Sequence, residues 1–384
     1  MLNAQRRNGS GDLLMTRRKL KLIEPVINEE EIKGVSNVLR SGWLTEGSVT
    51  RQFEEEIKKY LGVEYAVATT SCTTSLELSL RALGIGPGDE VIVPDFTHPA
   101  TGNIVEWIGA KPVLVDVDLS SYNIDPAEVE KAITKKTKCV IPVSWGGNPL
   151  DMRPLNDLKK EHDLVIVEDA ACSLGAEFDG KKTGTMADIT CFSFHPRKIV
   201  TSGEGGMTVT DDPALAEKIS SMKNFGMRIE GEKHIFVRMG TNYKLSDVLS
   251  AIGLAQMKKI EKMIRRRIGI ANYYDRLLAR SHLITPPERR KNTRHTCQTY
   301  SVYVHKERAR DKIIEDLKRA SIETQIGTYA LHLQPSYQNA KRVGRLERAE
   351  KLFMNLLSLP LSHSMLKKDQ ELVISRIEKS LQAT

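Results

Sequence analysis

The sequence predicts an α/β fold: a large three-layer αβα domain built on a mostly parallel sheet, followed by a smaller C-terminal α+β domain. Three observations carry this reading. Leu164-Val-Ile-Val-Glu-Asp-Ala-Ala171 is an apolar run of strand length ending in two carboxylates, the pattern of a strand buried on both faces. Lys111-Pro-Val-Leu-Val-Asp116 and Lys138-Cys-Val-Ile-Pro-Val143 precede it, spaced by helical patterns that imply right-handed parallel crossovers. From Lys258 the chain turns strongly charged and helical before a clear alternating strand, Tyr300-Ser-Val-Tyr-Val304. With 384 residues and 40% hydrophobic content, the chain can bury one large core and a smaller second one. The expected division is a basic, disordered extension over 1–21, a large domain over 22–257 and a small domain over 258–384.

Composition narrows the function classes. No stretch of 18 consecutive apolar residues occurs, so no membrane partner is expected. The five cysteines are odd in number and widely spaced, without a C-x-x-C pair, which points to reduced thiols in a cytoplasm and to no metal. The net charge of +8 invites a nucleic-acid reading. Its distribution argues against one: Arg6, Arg7, Arg17, Arg18, Lys19 and Lys21 against Asp12 alone put +5 in the first 21 residues and leave +3 for the body. An Arg-rich, acid-poor start resembles a transit peptide; a disordered extension before Met15 is the plainer reading.

In chain order, Asn28 followed by Glu29, Glu30 and Glu31 is a helix cap with acids in the first turn, so a helix opens there and runs to residue 40. Ser41-Gly-Trp-Leu-Thr-Glu-Gly47 ends it, and a second helix covers 51–61. The strand Tyr65-Ala-Val-Ala-Thr69 leads through Thr70-Ser-Cys-Thr-Thr-Ser75 into an apolar helix. Strand, small polar turn and helix start make a phosphate cradle, because free backbone N–H groups and the helix dipole favour an anion. For a lone Ser/Thr cluster, however, a plain helix cap by Ser71 or Thr73 is the better reading. Gly86-Pro-Gly-Asp89 turns the chain into the buried strand Glu90-Val-Ile-Val-Pro94, and Asp95-Phe-Thr-His-Pro-Ala100 follows. His98 there reads as a solvated loop histidine. Gly147 to Met152 reads as a structural turn. Ser246-Asp247 opens an apolar helix over 248–257, and 258–279 is the helix that joins the domains, with Arg265, Arg266 and Arg267 on a solvated face. A helix over 308–320, a strand over 323–326 and a closing helix over 370–381 complete the small domain.

Two residues suggest the chemistry. Asp169 stands at the carboxyl end of a buried strand, where ligands sit in open α/β sheets. Lys198 follows the next strand, in a loop that Pro196 stiffens and that Gly203, Gly205 and Gly206 allow to turn sharply. Any one of the 57 Lys and Arg residues is ordinarily a solvated cation. An aspartate at one strand end and a lysine at the exit of the next, however, are what pyridoxal 5'-phosphate (PLP) needs. The lysine joins the aldehyde as a Schiff base, and the carboxylate keeps the pyridine nitrogen protonated so that the ring accepts electrons.

D-I-T-C-F-S-F-H-P-R-K-I-V-T-S-G-E-G-G (188–206), V-I-V-E-D-A-A-C-S-L-G-A (165–176) and S-G-W-L-T-E-G (41–47) resemble the sugar aminotransferases of the DegT/DnrJ/EryC/StrS family, within the fold-type I PLP transferases, from about residue 22 to the C-terminus. The resemblance implies roles. Lys198 is the Schiff-base lysine and proton shuttle, Asp169 the partner of the ring nitrogen, and His195 a neighbour of the Schiff base. Cys72, Thr73 and Ser193 lie at the cofactor phosphate, His98 on the pyridine face, and Cys172 by the phenolic oxygen, where relatives carry Gln. Asn242, in Gly240-Thr-Asn-Tyr-Lys-Leu-Ser-Asp247, reaches across a homodimer interface to the neighbour's cofactor phosphate. Tyr329 and His332 belong to a loop near the sugar. The turn of Trp43 lies near the sugar nucleotide, although it reads as well as a helix C-cap with an anchoring Trp.

The implied reaction is transamination of a nucleotide-linked keto-sugar, with glutamate or glutamine as amino donor, in the biosynthesis of an amino sugar for a surface polysaccharide or a glycosylated metabolite. Two other functions stay open. One is a PLP-dependent sugar dehydratase-like enzyme, whose relatives typically replace the lysine with histidine; the other is a non-catalytic regulatory DNA-binding protein that keeps the fold.

Overall fold

The computed structural model describes residues 19–383. The chain alternates helix and strand through α1 (Glu29–Ser41), α2 (Ser48–Leu61), β1 (Tyr65–Thr69), α3 (Cys72–Ala82), β2 (Glu90–Pro94), β3 (Phe96–Thr97), α4 (Pro99–Trp107), β4 (Lys111–Val115), α5 (Pro126–Ala132) and β5 (Thr137–Val140). It continues through α6 (Arg153–His162), β6 (Val165–Asp169), β7 (Glu177–Phe178), β8 (Lys181–Lys182), β9 (Ile189–Ser193), β10 (Gly206–Thr210), α7 (Pro213–Met222), α8 (Asp247–Met257) and α9 (Ile260–Leu278). Eight strands make one sheet in the order β1, β10, β9, β6, β5, β2, β4 and Lys341–Arg342. Neighbours are parallel except where β10 meets β9 and β1.

Alternation along the strands makes this a three-layer structure. Val91 and Val93 of β2 and Leu114 of β4 pack with α3 and α4 residues such as Leu76, Leu80 and Ile104 on one face. Ile92, Val113 and Val115 pack on the other with Val129 of α5 and Leu155 of α6. After α9, a four-stranded antiparallel sheet (Ile284–Thr285, Tyr300–Val304, Leu356–Leu359 and Gln325–Ile326) carries its own core, in which Tyr274 stacks on Tyr300 at 5.1 Å.

The chain ends of the expected segments are less separate than the composition suggests. The extension expected over 1–21 lies outside the described residues up to 18. Leu20 is buried in the core of the small sheet and exchanges backbone hydrogen bonds with Ser321 and Glu323. Beyond α9, Thr293–Arg294 pairs with β7, Tyr329–Ala330 with β3, and Lys341–Arg342 extends the large sheet beside β4.

Local chemistry accounts for the boundaries. Asn28 and Glu31 form a capping box at α1. α2 begins at Ser48, earlier than the expected 51, because the Asp247 carboxylate accepts from the backbone N–H groups of Gly47, Val49 and Thr50 and supplies the missing cap. Arg265 and Arg266 are exposed as expected, but Arg267 is not. It is buried and donates to the carbonyls of Cys297 and Gln298, and burial pulls its pKa down to about 10.

Candidate active site

Three registers bring the site together. Asp169 of β6 lies opposite Cys191 of β9, Ser193 of β9 opposite Gly206 of β10, and Gly206 opposite Thr69 of β1. The two motifs flanking Asp169 and Lys198 and the turn after Thr69 therefore meet at one edge of the strand ends. Gly206 is what lets them meet: a Cβ on it would stand 2.3 Å from the Ser71 carbonyl carbon and oxygen and 2.6 Å from the Cys72 nitrogen.

Lys198 turns inward, and its Nζ donates to the Cys172 sulfur at 3.1 Å. Burial disfavours its ammonium, but Cys172 beside it, and then Asp169 and Cys72, outweigh burial and hold its pKa above the ordinary lysine value. Asp169 is buried. Its Oδ2 accepts from Thr101 Oγ1 at 2.8 Å, and its Oδ1 from Ala171 N–H at 3.1 Å and, more distantly, from Cys72 Sγ at 3.9 Å. Burial, with Asp169 adding to it, pushes the Cys72 thiol well up. Thr101 did not figure in the sequence reading. Its only signal there is a spacing of four from Thr97 across His98-Pro99.

The turn after Thr69 serves two purposes at once. Ser71 caps α3, accepting from Thr74 N–H and, through its carbonyl, from Ser75 N–H. The cap reading for Ser71 therefore holds. Among the described residues the N–H groups of Cys72 and Thr73 have no protein acceptor, as expected for a helix N-terminus that receives an anion. Thr73 is exposed there, whereas the Cys72 side chain points back to Asp169 and the Cys191 carbonyl. Ser193 is half-buried and accepts from His195 N–H at 3.4 Å. His195 closes the lysine loop: its carbonyl accepts from Lys198 N–H and its Nδ1 from Arg197 N–H. Burial lowers its pKa, against the opposing pull of Glu204.

The outer residues divide. His98 is the cap of α4, its Nδ1 accepting from Ala100 N–H at 3.2 Å, and its ring stands edge-on to Tyr329 at 6.4 Å. Burial pulls its pKa down, opposed chiefly by Asp169. Tyr329 is brought beside it by pairing with Thr97. His332 turns away from this face: it is buried, and its Nδ1 lies 2.6 Å from Asp95 Oδ2. Trp43 is exposed and donates to the Glu46 carbonyl, lining a cleft of about 390 Å³ between α1, α2 and α8, and Asn242 is exposed and bridged to Asn224. Within one protomer neither makes a recorded contact with the Lys198 cluster.

An inward amine, a buried carboxylate that makes no ion pair among the described residues and a helix N-terminus with open amides form the donor set that PLP requires. The family model described as the DegT/DnrJ/EryC1/StrS aminotransferase family matches residues 25–378. The chain belongs to this family. It is 35% identical to GDP-perosamine synthase of Caulobacter vibrioides, covering 94% of this chain and 98% of that protein. It is 36% identical to the spore coat polysaccharide biosynthesis protein SpsC of Bacillus subtilis, covering 92% and 95%. Among solved structures it superimposes on Helicobacter pylori PseC, an aminotransferase of pseudoaminic acid biosynthesis, with a TM-score of 0.90, 28% identity and coverage of 96% and 100%. The PLP form of Streptococcus pneumoniae Spr1654 matches with a TM-score of 0.89, 29% identity and coverage of 95% and 99%. The fold is that of the PLP aminotransferases, and the chain is an aminotransferase.

Proposed function

We propose that this aminotransferase moves an amino group from glutamate or glutamine to the keto group of a nucleotide-linked sugar, on the way to an amino sugar for a surface polysaccharide or a glycosylated metabolite. The observation that carries the reading is the Lys198 amine, turned inward onto Cys172 and within the electrostatic reach of Asp169 and of Cys72 at the start of α3. PLP, once bound, supplies an aldehyde for that amine and a ring that takes up the electrons of a broken C–H bond. Lys198 would use its Nζ to move the proton between the substrate carbon that bears the amino group and the cofactor, a role that needs an amine free to gain and lose a proton. Asp169 would present its carboxylate to the ring nitrogen, and the Cys72 and Thr73 amides would hold the phosphate. His98 and Tyr329, set edge to face, would each offer a ring face, one to the cofactor and one to the sugar.

The sugar is supported by relatives whose names specify perosamine and pseudoaminic acid. A homodimer is supported by the exposed apolar side chains Ile229, Phe236 and Met239 on the stretch that leads to Asn242. Among the described residues no helix is long and apolar enough to cross a membrane.

The test is product analysis. Protein with PLP should absorb in the visible, and borohydride should fix the cofactor on Lys198. A panel of UDP-, GDP- and dTDP-linked keto-sugars with glutamate should yield an amino sugar from at least one. A colourless protein after PLP addition would end the PLP reading, and removal of a sugar hydroxyl without net amino transfer would replace transamination by dehydration.

A further inference from the structure

This inference rests on the PLP reading above and concerns what holds Asp169. Thr101 Oγ1 lies 2.8 Å from Asp169 Oδ2 and 3.0 Å from Thr97 Oγ1. Thr97 and Thr101 are 1% and 0% exposed, and Asp169 is 6% exposed. A hydroxyl has one proton to give. An ionised Asp169 has none, so Thr101 donates to it and is left to accept; the hydroxyl within reach to fill that role is Thr97. The contacts thus make a one-way relay, Thr97 to Thr101 to Asp169.

The relay is built into the start of α4. His98 caps the helix and Pro99 opens it, and Thr97 at the end of β3 comes within hydrogen-bond distance of Thr101 in the first turn. The first turn of α4, positive by its dipole, thereby faces the carboxylate. Oδ1 has the Ala171 N–H and the long Cys72 contact, whereas the short side-chain bond to Oδ2 comes from Thr101. Loss of that bond would leave one carboxylate oxygen buried without its donor and the side chain free to rotate.

We propose that Thr101, backed by Thr97, is a positioning residue that keeps the Asp169 carboxylate correctly rotated toward the ring nitrogen of the cofactor. Thr97 is also the residue that pairs with Tyr329, so the same strand residue fixes the relay and the aromatic wall of the site.

The test compares wild type, Thr101→Val, Thr101→Ser and Thr97→Val, each checked for cooperative thermal unfolding and loaded with PLP labelled with nitrogen-15. Wild type should hold the cofactor with its ring nitrogen protonated, read from the nitrogen-15 chemical shift. Thr101→Val, which keeps the shape and removes the hydroxyl, should raise the PLP dissociation constant about tenfold, the low end for a hydrogen bond to a charged group. It should also move the ring signal toward the unprotonated position. Thr101→Ser should restore both, and Thr97→Val should shift both in the same direction by less. A Thr101→Val protein with the wild-type shift and affinity would overturn the relay, as would failure of Thr101→Ser to rescue it. Should Thr101→Val not fold, Thr97→Val decides: an unchanged ring signal overturns the proposal. A wild type that binds no PLP would instead end the reading on which the relay rests.

Discussion

The Lys198 amine donates to the Cys172 sulfur, and of the five cysteines Cys172 alone is not buried. An accessible thiol beside an ammonium is the setting in which cysteines react, whereas thiols sealed in the core are inert. Brief treatment with iodoacetamide should therefore modify Cys172 and spare Cys72, Cys139, Cys191 and Cys297. Saturating PLP should slow the modification, because the cofactor occupies the space in front of Lys198. Peptide mass spectrometry reads both effects; labelling spread evenly over the cysteines, or a rate indifferent to PLP, would contradict this arrangement.

Glu168 sets a pH dependence of stability. It is fully buried beside Asp169, with Ser144 and Thr190 as hydroxyl partners, and burial, only partly offset by those hydrogen bonds, pushes its pKa from 4.5 to about 7. The unfolded chain loses this proton near the ordinary value, while the folded protein keeps it until about 7. Folding therefore binds a proton between those values, and this contribution to stability falls as pH rises through the window. Its size is on the order of 3 kcal/mol. In urea titrations at pH 5 and pH 8, Glu168→Gln should lose less stability between the two than wild type does. Equal losses would mean that Glu168 ionises normally in the fold.

The lysine and aspartate at the centre of the site were legible because their signals are local. Each sits at the end of an apolar run, with glycines or small residues following, and strand ends are where such sheets bind ligands. The capping of α1 and the strand Tyr300–Val304 were legible for the same reason. What escaped is what the fold joins from far apart. Thr101 meets Asp169 across 68 residues and Gly47 meets Asp247 across 200, and neither pair leaves a trace in the local pattern. A run of three arginines over 265–267 reads as a solvated face, yet the helix turns Arg267 inward onto two carbonyls. His332 was assigned to the sugar loop by resemblance, and Asp95, which holds it, lies 237 residues earlier.

Asp247 gives the clearest stability test. Its carboxylate accepts from the N–H groups of Gly47, Val49 and Thr50 and from the Thr50 hydroxyl, and it is 2% exposed. Gly47, at the cap position of α2, has no side chain to do this work. Asp247→Ala should cost about 2–3 kcal/mol, more than a surface cap, because buried donors are left without a partner. Asp247→Asn keeps one acceptor oxygen and should cost less. The Trp43 indole lies against Gly47, so its fluorescence should report the loosening of this turn before global unfolding. Equal stability of Asp247→Ala and wild type in urea would show that water replaces the cap without cost.

His98 carries two separable functions, and two substitutions divide them. Its Nδ1 caps α4 through Ala100 N–H, and its ring, edge-on to Tyr329, offers a face to the cofactor. His98→Asn keeps a capping oxygen and removes the ring. His98→Phe keeps a ring and removes the cap. If the ring stacks on the pyridine, His98→Phe should keep PLP affinity close to wild type while lowering the thermal midpoint, since a lost cap costs about 1 kcal/mol. His98→Asn should do the reverse, holding the midpoint and weakening PLP binding by about 1 kcal/mol, the scale of an aromatic contact. His98→Ala should show both losses. His98 is exposed, but partial desolvation holds its pKa below the ordinary histidine value, so these differences should not change between pH 7 and pH 8.5. Equal loss of PLP affinity in the Phe and Asn variants would assign the effect to a ring nitrogen and remove stacking as the role of His98.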